Sequence, residues 1–319
     1  MSTVLHPPGR SLAARGTTFW VEEEGDGPPL LVLTGGPASS HVNLHPTFSA
    51  LADRSRVLYL DYRGRGRSAP ARPEEVTFAG DVADVAAVVE ALGYGPVDVY
   101  GFSYGGLVAQ GLALEHPGLV RRLVLANTLH SPEMWQRNHE NINREIELQF
   151  PEVWDDILAL RAAGVRSTDP RVQELYAVHA KLIRFYNPDN AARLQSEPGA
   201  KNPELYRAFV GDDVEFFVAG EVPAIPDFRP RLREIQAPLL ILAGRYDRAL
   251  YPAYQRDFQR AAPQARFVIL ERSGSFGHVE EPERVVELVR EHLGVEPAAR
   301  QPARAGHANA VTSGSDQSR

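Results

Sequence analysis

The sequence of 319 residues contains no cysteine. Disulfide bonds, thiolate metal sites and a cysteine nucleophile are therefore excluded. It also lacks any run of roughly 20 apolar residues that could cross a membrane, and residues 1–10 lack the apolar core of a signal peptide. We therefore expect a cytoplasmic protein that has no membrane partner.

Runs of basic residues are also missing, and the formal net charge at pH 7 is -7. A protein with this charge balance is a poor match for a polyanion, so we expect no nucleic-acid partner. The sequence is otherwise ordinary for a folded globular protein, because 43% of it is hydrophobic and 24% is charged. Composition gives no indication of the oligomeric state.

Strand patterns alternate with helical patterns along most of the chain, which is typical of a mainly parallel sheet covered by helices on both faces. Near the start, the pattern predicts strands at 17–24 and 30–33, joined through 25–29 as an opening hairpin.

The strand signals stop between 129 and 233, where helical segments rich in charged and aromatic residues follow one another. We interpret this segment as a helical cap inserted into a core domain made of 1–128 and 234–295. The remaining residues, 296–319, are rich in Pro, Ala, Gly, Ser and Gln, a composition that predicts a disordered tail.

The segment 101–105 reads Gly-Phe-Ser-Tyr-Gly and lies between a predicted strand at 96–100 and a predicted helix at 107–115. A serine on a sharp strand-to-helix turn presents its hydroxyl above the sheet, and small neighbouring residues leave room for it. Ser103 is therefore the candidate nucleophile of an acyl-transfer reaction.

A serine hydroxyl needs a base, and the base needs an orienting acid. A continuous apolar strand at 238–243 runs into Gly-Arg-Tyr and then Asp247, which makes Asp247 the candidate acid. His278 lies in a loop between a predicted strand and the last helix, which makes it the candidate base. Two other histidines, His41 and His45, follow a glycine loop and are candidates for lining the pocket.

Acyl transfer also needs hydrogen-bond donors for the negative charge that builds up on the substrate oxygen. Tyr104 follows the nucleophile, and its backbone amide is one candidate donor. The second is the amide of Gly36, because the paired glycines of the loop at 34–38 let the backbone approach a ligand closely.

Five motifs together resemble a known family over about residues 17–294 of this chain. They are Gly-Gly-Pro at 35–37, the arginine- and glycine-rich loop at 61–68, the Ser103 turn, Gly-Arg-Tyr-Asp at 244–247, and Gly-His at 277–278 before Glu-Glu-Pro. In these motifs the chain resembles the α/β-hydrolase superfamily and, within it, the proline iminopeptidase type of serine peptidase. The resemblance implies the α/β-hydrolase fold with a cap over Ser103.

The resemblance also implies that a carboxylate of the cap binds the free amine of the substrate, and Glu215 matches best; a solvated acidic turn is the alternative. Arg248 follows the candidate acid, where it would attract a substrate carboxylate or pair with Glu215. In the 61–68 loop, the resemblance implies structural support by an ion pair of Asp61 and Arg63 rather than a phosphate clamp.

The function expected from this resemblance is an aminopeptidase that releases an N-terminal residue from a small-molecule or short-peptide substrate. An esterase, lactonase or amidase acting on a small metabolite would use the same triad without an amine site. A non-hydrolytic ligand-binding member of the fold is a third alternative. We expect neither a metal nor an organic cofactor.

Overall fold

The structure is a computed structural model that describes residues 6–295. The predicted tail at 296–319 lies outside the described residues. Among the helices of the described part, none is both long and apolar enough to cross a membrane.

Eight strands form one sheet in the order β1-β2-β4-β3-β5-β6-β7-β8. They are β1 (Gly9–Ala14), β2 (Thr17–Glu24), β3 (Pro29–Leu33), β4 (Arg56–Leu60), β5 (Val97–Phe102), β6 (Val120–Ala126), β7 (Leu239–Gly244) and β8 (Arg266–Leu270). From β4 to β8 all neighbours are parallel, whereas β2 is antiparallel to both β1 and β4. The predicted mainly parallel sheet is confirmed.

The predicted opening hairpin is wrong, because the strand at 17–24 does not pair with the strand that follows it. β2 pairs with β1 through a tight turn at Arg15 and Gly16, which have φ of 43° and 72°, whereas β3 lies between β4 and β5. The sequence analysis missed β1 because most of its residues are exposed and only one is large and apolar, so it lacks a buried apolar face.

Helices cover both faces of the sheet. On one face α2 (Phe78–Leu92), α3 (Tyr104–Glu115) and α8 (Pro252–Ala261) pack in one apolar cluster with Leu31 and Leu33 of β3. On the other face α1 (His45–Phe48) and α10 (Pro282–Leu293) pack with Leu30 and Val32. Successive β3 side chains thus point to opposite faces, as expected for a strand buried on both sides.

Between β6 and β7 the chain forms four α-helices, of which the first three share an apolar cluster, whereas the fourth packs in the same cluster as α2 and α3. They are α4 (Pro132–Gln149), α5 (Pro151–Ala162), α6 (Pro170–Arg184) and α7 (Pro203–Val210). The short helix α9 (Gly277–Glu280) then follows β8. The helices α4–α7 fill the segment interpreted as a cap; its boundaries at 129 and 233 and its action as a lid stay predictions.

Candidate active site

Ser103 lies on the turn between β5 and α3 in a strained conformation. Its φ is 50° and its ψ is -117°, a combination that ordinary side chains rarely adopt. The surrounding backbone holds this geometry, because the Ser103 amide donates to Ala126 and its carbonyl accepts from the Gly106 amide and the Thr128 hydroxyl. Strain that is maintained in this way is concentrated at functional sites.

The glycines around Ser103 are required by close backbone packing. A Cβ on Gly105 would lie 2.3 Å from the Leu33 carbonyl oxygen, and one on Gly101 would lie 2.6 Å from the Gly105 carbonyl oxygen. Because both obstacles are main-chain atoms, neither can move aside cheaply. The Gly-x-Ser-x-Gly pattern is therefore a packing requirement of this turn.

Above Ser103 is a cavity of about 280 Å³ whose lining includes His278, Gly36 and Tyr104. Gly36 has a φ of 75°, which is readily accessible to glycine. Tyr104 is the first residue of α3, so its amide belongs to the first turn, where helix amides lack an intrahelical acceptor. Both candidate oxyanion donors thus line the same cavity as the candidate nucleophile and base.

A buried network joins the two candidate oxyanion elements. Arg65 donates to the carbonyl of Pro37 at 2.7 Å and makes two bonds of 2.9 Å to Asp81. The same carboxylate accepts the Tyr104 hydroxyl at 2.5 Å. One guanidinium and one carboxylate therefore connect the loop of Gly36 to the first turn of α3.

The predicted ion pair of Asp61 and Arg63 is wrong in its pairing. Asp61 accepts from the ring of His41 at 2.7 Å, and Arg63 binds Asp84 at 2.7 and 2.8 Å. The loop does have a structural role, but its buried bridge is made by Arg65. Arginines at every second position of one loop cannot be assigned to their carboxylate partners from the sequence, because those carboxylates lie on other elements of the fold.

His278 is buried and packs edge to face against Phe102, with ring centroids 4.5 Å apart. Among the described residues, neither of its ring nitrogens has a hydrogen-bond partner. Burial lowers the pKa of His278 to about 4, because the protonated ring would lose its hydration. The imidazole is therefore neutral at pH 7, the form that a general base requires.

If His278 is the base, we expect kcat/KM to stay level between about pH 7 and pH 5 and to fall by half near pH 4, because only the neutral ring accepts a proton. Initial rates at low substrate across this range measure the effect, with circular dichroism at each pH as the control for folding. An acid limb centred near the ordinary histidine value of about 6.5 would contradict the prediction.

Asp247 is buried beyond the end of β7 and does not line the cavity. Its carboxylate accepts from the amides of Ala249 and Leu250, from the Ser275 hydroxyl and from the Asn127 side chain. Burial acts to raise its pKa and outweighs these bonds, so the pKa lies above its usual value. In the described part of the chain, no hydrogen bond links Asp247 to His278.

The two predicted substrate-binding residues both lie outside the cavity lining. Glu215 bonds the ring of His139 at 2.8 Å, and it is His139 that lines the cavity. Burial acts to raise the pKa of Glu215, but the hydrogen bond and charge of His139 together with the charge of Arg184 outweigh it, so the pKa is lowered. Arg248 is exposed and contacts Gln149 and Glu145 at 3.3 and 3.9 Å, so the predicted alternative of pairing with Glu215 is not seen.

The end of α6 is attached to the loop that carries His278. The Arg184 carbonyl accepts the Ser275 amide at 2.7 Å, and Phe185 stacks on Phe276 at an interplanar angle of 9°. The Glu280 carboxylate accepts from the amides of 186, 187 and 274. This edge of the helical segment is therefore held against the core.

The cavity also contains cationic residues that the sequence analysis did not select. Arg184 and Lys201 line it, whereas no Asp or Glu is among its described lining residues. A second cavity of about 660 Å³ shares Gly36, Ser39, Lys201 and Tyr206 with the first. Arg184 ends α6 and Lys201 precedes α7, and periodicity in the sequence does not reveal which parts of this segment lie near Ser103, so these residues had no clear signal.

Asn127 and Thr128 were also missed, although a signal existed. They directly follow β6, at the sheet edge where Ser103 and Asp247 lie. Asn127 has a φ of 42° and joins Asp247 to the Gly274 carbonyl, and Thr128 holds the Ser103 carbonyl. Polar residues after each parallel strand are expected to support such a site.

Comparisons with known proteins support the fold. The family model described as alpha/beta hydrolase fold matches residues 28–171. A proline iminopeptidase from Heyndrickxia coagulans is 26% identical over 283 residues, which cover 85% of this chain and 92% of that protein. A pyrrolizixenacetamide deacetylase from Xenorhabdus hominickii is 26% identical over 273 residues, covering 85% and 92%.

Among solved structures, the proline iminopeptidase of Mycobacterium smegmatis has a TM-score of 0.72 and 25% identity, and the match covers 90% of this chain and 98% of that one. The chain thus has the α/β-hydrolase fold and resembles proline iminopeptidases, as the motifs predicted. These matches support a hydrolase.

Proposed function

We propose that this protein is a serine hydrolase that works through an acyl-enzyme. The observation that carries the proposal is the strained Ser103 at the floor of a cavity that also contains His278 and the two candidate oxyanion residues. The strained conformation of Ser103 costs free energy that a relaxed turn would not, so its maintenance by three backbone contacts indicates a functional role.

In this mechanism, the Ser103 hydroxyl attacks the substrate carbonyl carbon while His278 accepts the hydroxyl proton. The amides of Gly36 and Tyr104 stabilise the oxyanion. The carbon–heteroatom bond then breaks, and the leaving group takes the proton from His278. Water attacks the resulting ester with His278 again as the base, which releases the acid and restores Ser103.

Asp247 is proposed to orient His278 once a substrate is bound. Two buried ring nitrogens without partners are costly, so His278 is ready to form bonds to a hydroxyl on one side and a carboxylate on the other. Catalytic hydrogen bonds are often long in the free enzyme and tighten in the substrate complex. The existing contacts of Asp247 hold it for that role.

For the substrate, we propose an aminopeptidase of proline iminopeptidase type. The matches to proline iminopeptidases support this, and so does a partly buried carboxylate, Glu215, which contacts the cavity-lining residue His139. A substrate ammonium that displaces the His139 contact would gain a charge-assisted bond to this carboxylate.

Glu215→Gln is expected to lower kcat/KM on a free-amine substrate such as prolyl-p-nitroanilide by more than tenfold. The reason is the loss of a bond to a charged group, which contributes about 1.5 to 3 kcal/mol. On an uncharged p-nitrophenyl ester the same change should have little effect. Glu140→Gln, an exposed carboxylate beside His139, is the matched control. Equal losses of kcat/KM on both substrates would show that Glu215 has a structural role instead.

The second candidate is an esterase or amidase that acts on a small metabolite, and Arg184 and Lys201 favour it. These cations line the cavity without an accompanying acidic residue among the described lining, and they would repel an ammonium and attract a carboxylate. Comparing wild-type rates on prolyl-p-nitroanilide and on its N-acetyl form separates the two candidates. Preference for the blocked form would overturn the aminopeptidase proposal and leave the serine hydrolase in place.

A further inference from the structure

Away from Ser103, four side chains with metal-binding atoms converge on one point. They are His6, Glu22, His41 and His45, and their ligand atoms lie within 4.8 Å of one another. His41 and His45 were candidates for the pocket, but they lie outside its lining. The cluster is deeply buried, since Glu22, His41 and His45 are 0%, 1% and 4% exposed.

The three imidazoles surround the carboxylate of Glu22, and His6 Nδ1 contacts both of its oxygens, at 3.0 and 3.1 Å. Glu22 Oε2 lies 3.1 Å from His6 Nδ1, from His41 Nε2 and from His45 Nε2. The other carboxylate oxygen accepts from Trp20 and Arg67. Neighbouring ligands of a tetrahedral zinc ion with bonds of 2.0–2.2 Å are about 3.3 Å apart. The distances to Glu22 match this spacing, whereas the ligand atoms as a group lie within 4.8 Å of one another, so the rings would have to move together to share one ion.

The outer contacts of the histidines match those of metal ligands. His41 turns its other nitrogen to Asp61 at 2.7 Å, and His6 turns its other nitrogen to Glu197 at 2.8 Å. A carboxylate behind a metal-bound histidine fixes the ring and increases its basicity. His41 and His45 are also four residues apart on one helical turn, a spacing that places two histidines on one face.

Two further observations favour a cation at this point. His45 is buried, its Nδ1 has no hydrogen-bond partner among the described residues, and its Nε2 contacts Glu22, at 3.1 Å, without hydrogen-bond geometry. The carboxylates of Glu22, Asp61 and Glu197 carry three negative charges, and Arg67 supplies one positive charge. A divalent ion held by three neutral imidazoles would balance the two negative charges that remain.

We infer that this cluster is a structural site for one divalent metal ion, with a three-histidine, one-carboxylate ligand set suited to Zn²⁺. The ion would join the start of the chain and β2 to α1. From α1, Thr47 reaches the active site by donating its hydroxyl to the His278 carbonyl at 2.5 Å. The ion would fix the position of α1 and the region around it, without taking part in the chemistry.

The test uses the full-length protein without a histidine tag, stripped with a chelator and dialysed. Calorimetric titration with ZnCl₂ should show one site per chain, and Zn²⁺ should raise the melting midpoint. His6→Ala and His45→Gln should each weaken binding by at least about 100-fold. The visible spectrum after Co²⁺ addition should be that of a tetrahedral ion, and the ligand variants should lose it.

His116→Ala, at the end of α3, is the matched control and should bind Zn²⁺ like the wild type. His6 is at the edge of the cluster and partly exposed, so its replacement tests the site without removing a core side chain. If His41 is instead protonated and donates one N–H to Asp61 and the other to Glu22, the cluster needs no metal ion. The stripped wild type would then bind no stoichiometric Zn²⁺, or the ligand variants would bind it equally well, and either result overturns the inference.

Discussion

Ser103→Ala is expected to lower kcat by on the order of 10⁵ to 10⁶, because a nucleophile and its base act as one unit and either loss stops acyl-enzyme formation. Covalent labelling by a fluorophosphonate probe should disappear together with turnover. The melting midpoint should barely change, since alanine accepts the same backbone strain and the Ser103 hydroxyl has no hydrogen-bond partner in the contacts described above.

Ser39→Ala is the matched control for this experiment, because Ser39 supplies another hydroxyl in the lining of the same cavity. Its probe labelling should match that of the wild type. Labelling that persists in Ser103→Ala, or that disappears in Ser39→Ala, would refute Ser103 as the nucleophile.

Arg65→Met is expected to produce the largest loss of stability, about 3 to 5 kcal/mol in the free energy of unfolding. Arg65 and Asp81 are 0% and 2% exposed, so the variant leaves a buried carboxylate with only the Tyr104 hydroxyl as a side-chain partner. The loop of Gly36 also loses its contact at Pro37, so kcat should fall by at least about tenfold through a displaced oxyanion donor. Urea unfolding and steady-state rates measure the two effects.

Arg63→Met provides the comparison, two residues earlier in the same loop. Its partner Asp84 keeps a second cation, Arg15, at 2.7 Å, so the loss of stability should be clearly smaller and turnover should be retained. Equal losses in the two variants would show that the Arg65 bridge has no special role.

Local features of this protein were accessible from its sequence. The glycines at 101 and 105 are required by backbone contacts a few residues away or on the next strand, and the apolar runs of β5 and β7 are long enough to identify without a partner. The fold and its resemblance were therefore predicted correctly from motifs at strand ends.

Features that depend on the choice of partner were not accessible. Asp81 lies 16 residues from Arg65 on a different element, and nothing in the local sequence favours Arg65 over Arg63 for it. The exposed β1 lacks the apolar pattern of a strand and is recognised only by its pairing with β2. His139, Arg184 and Lys201 come together in one cavity only after α4–α7 have packed.

The attachment of residues 184–187 to the loop of His278 has a consequence for substrate entry and product release. The opposite side of this helical segment is attached as well, because the amides of Ser40 and Asn202 donate to the carbonyls of Ala200 and Ala38. A segment held at two borders cannot swing about one of them, so we expect substrates and products to pass between the two attachments without a large movement of α4–α7.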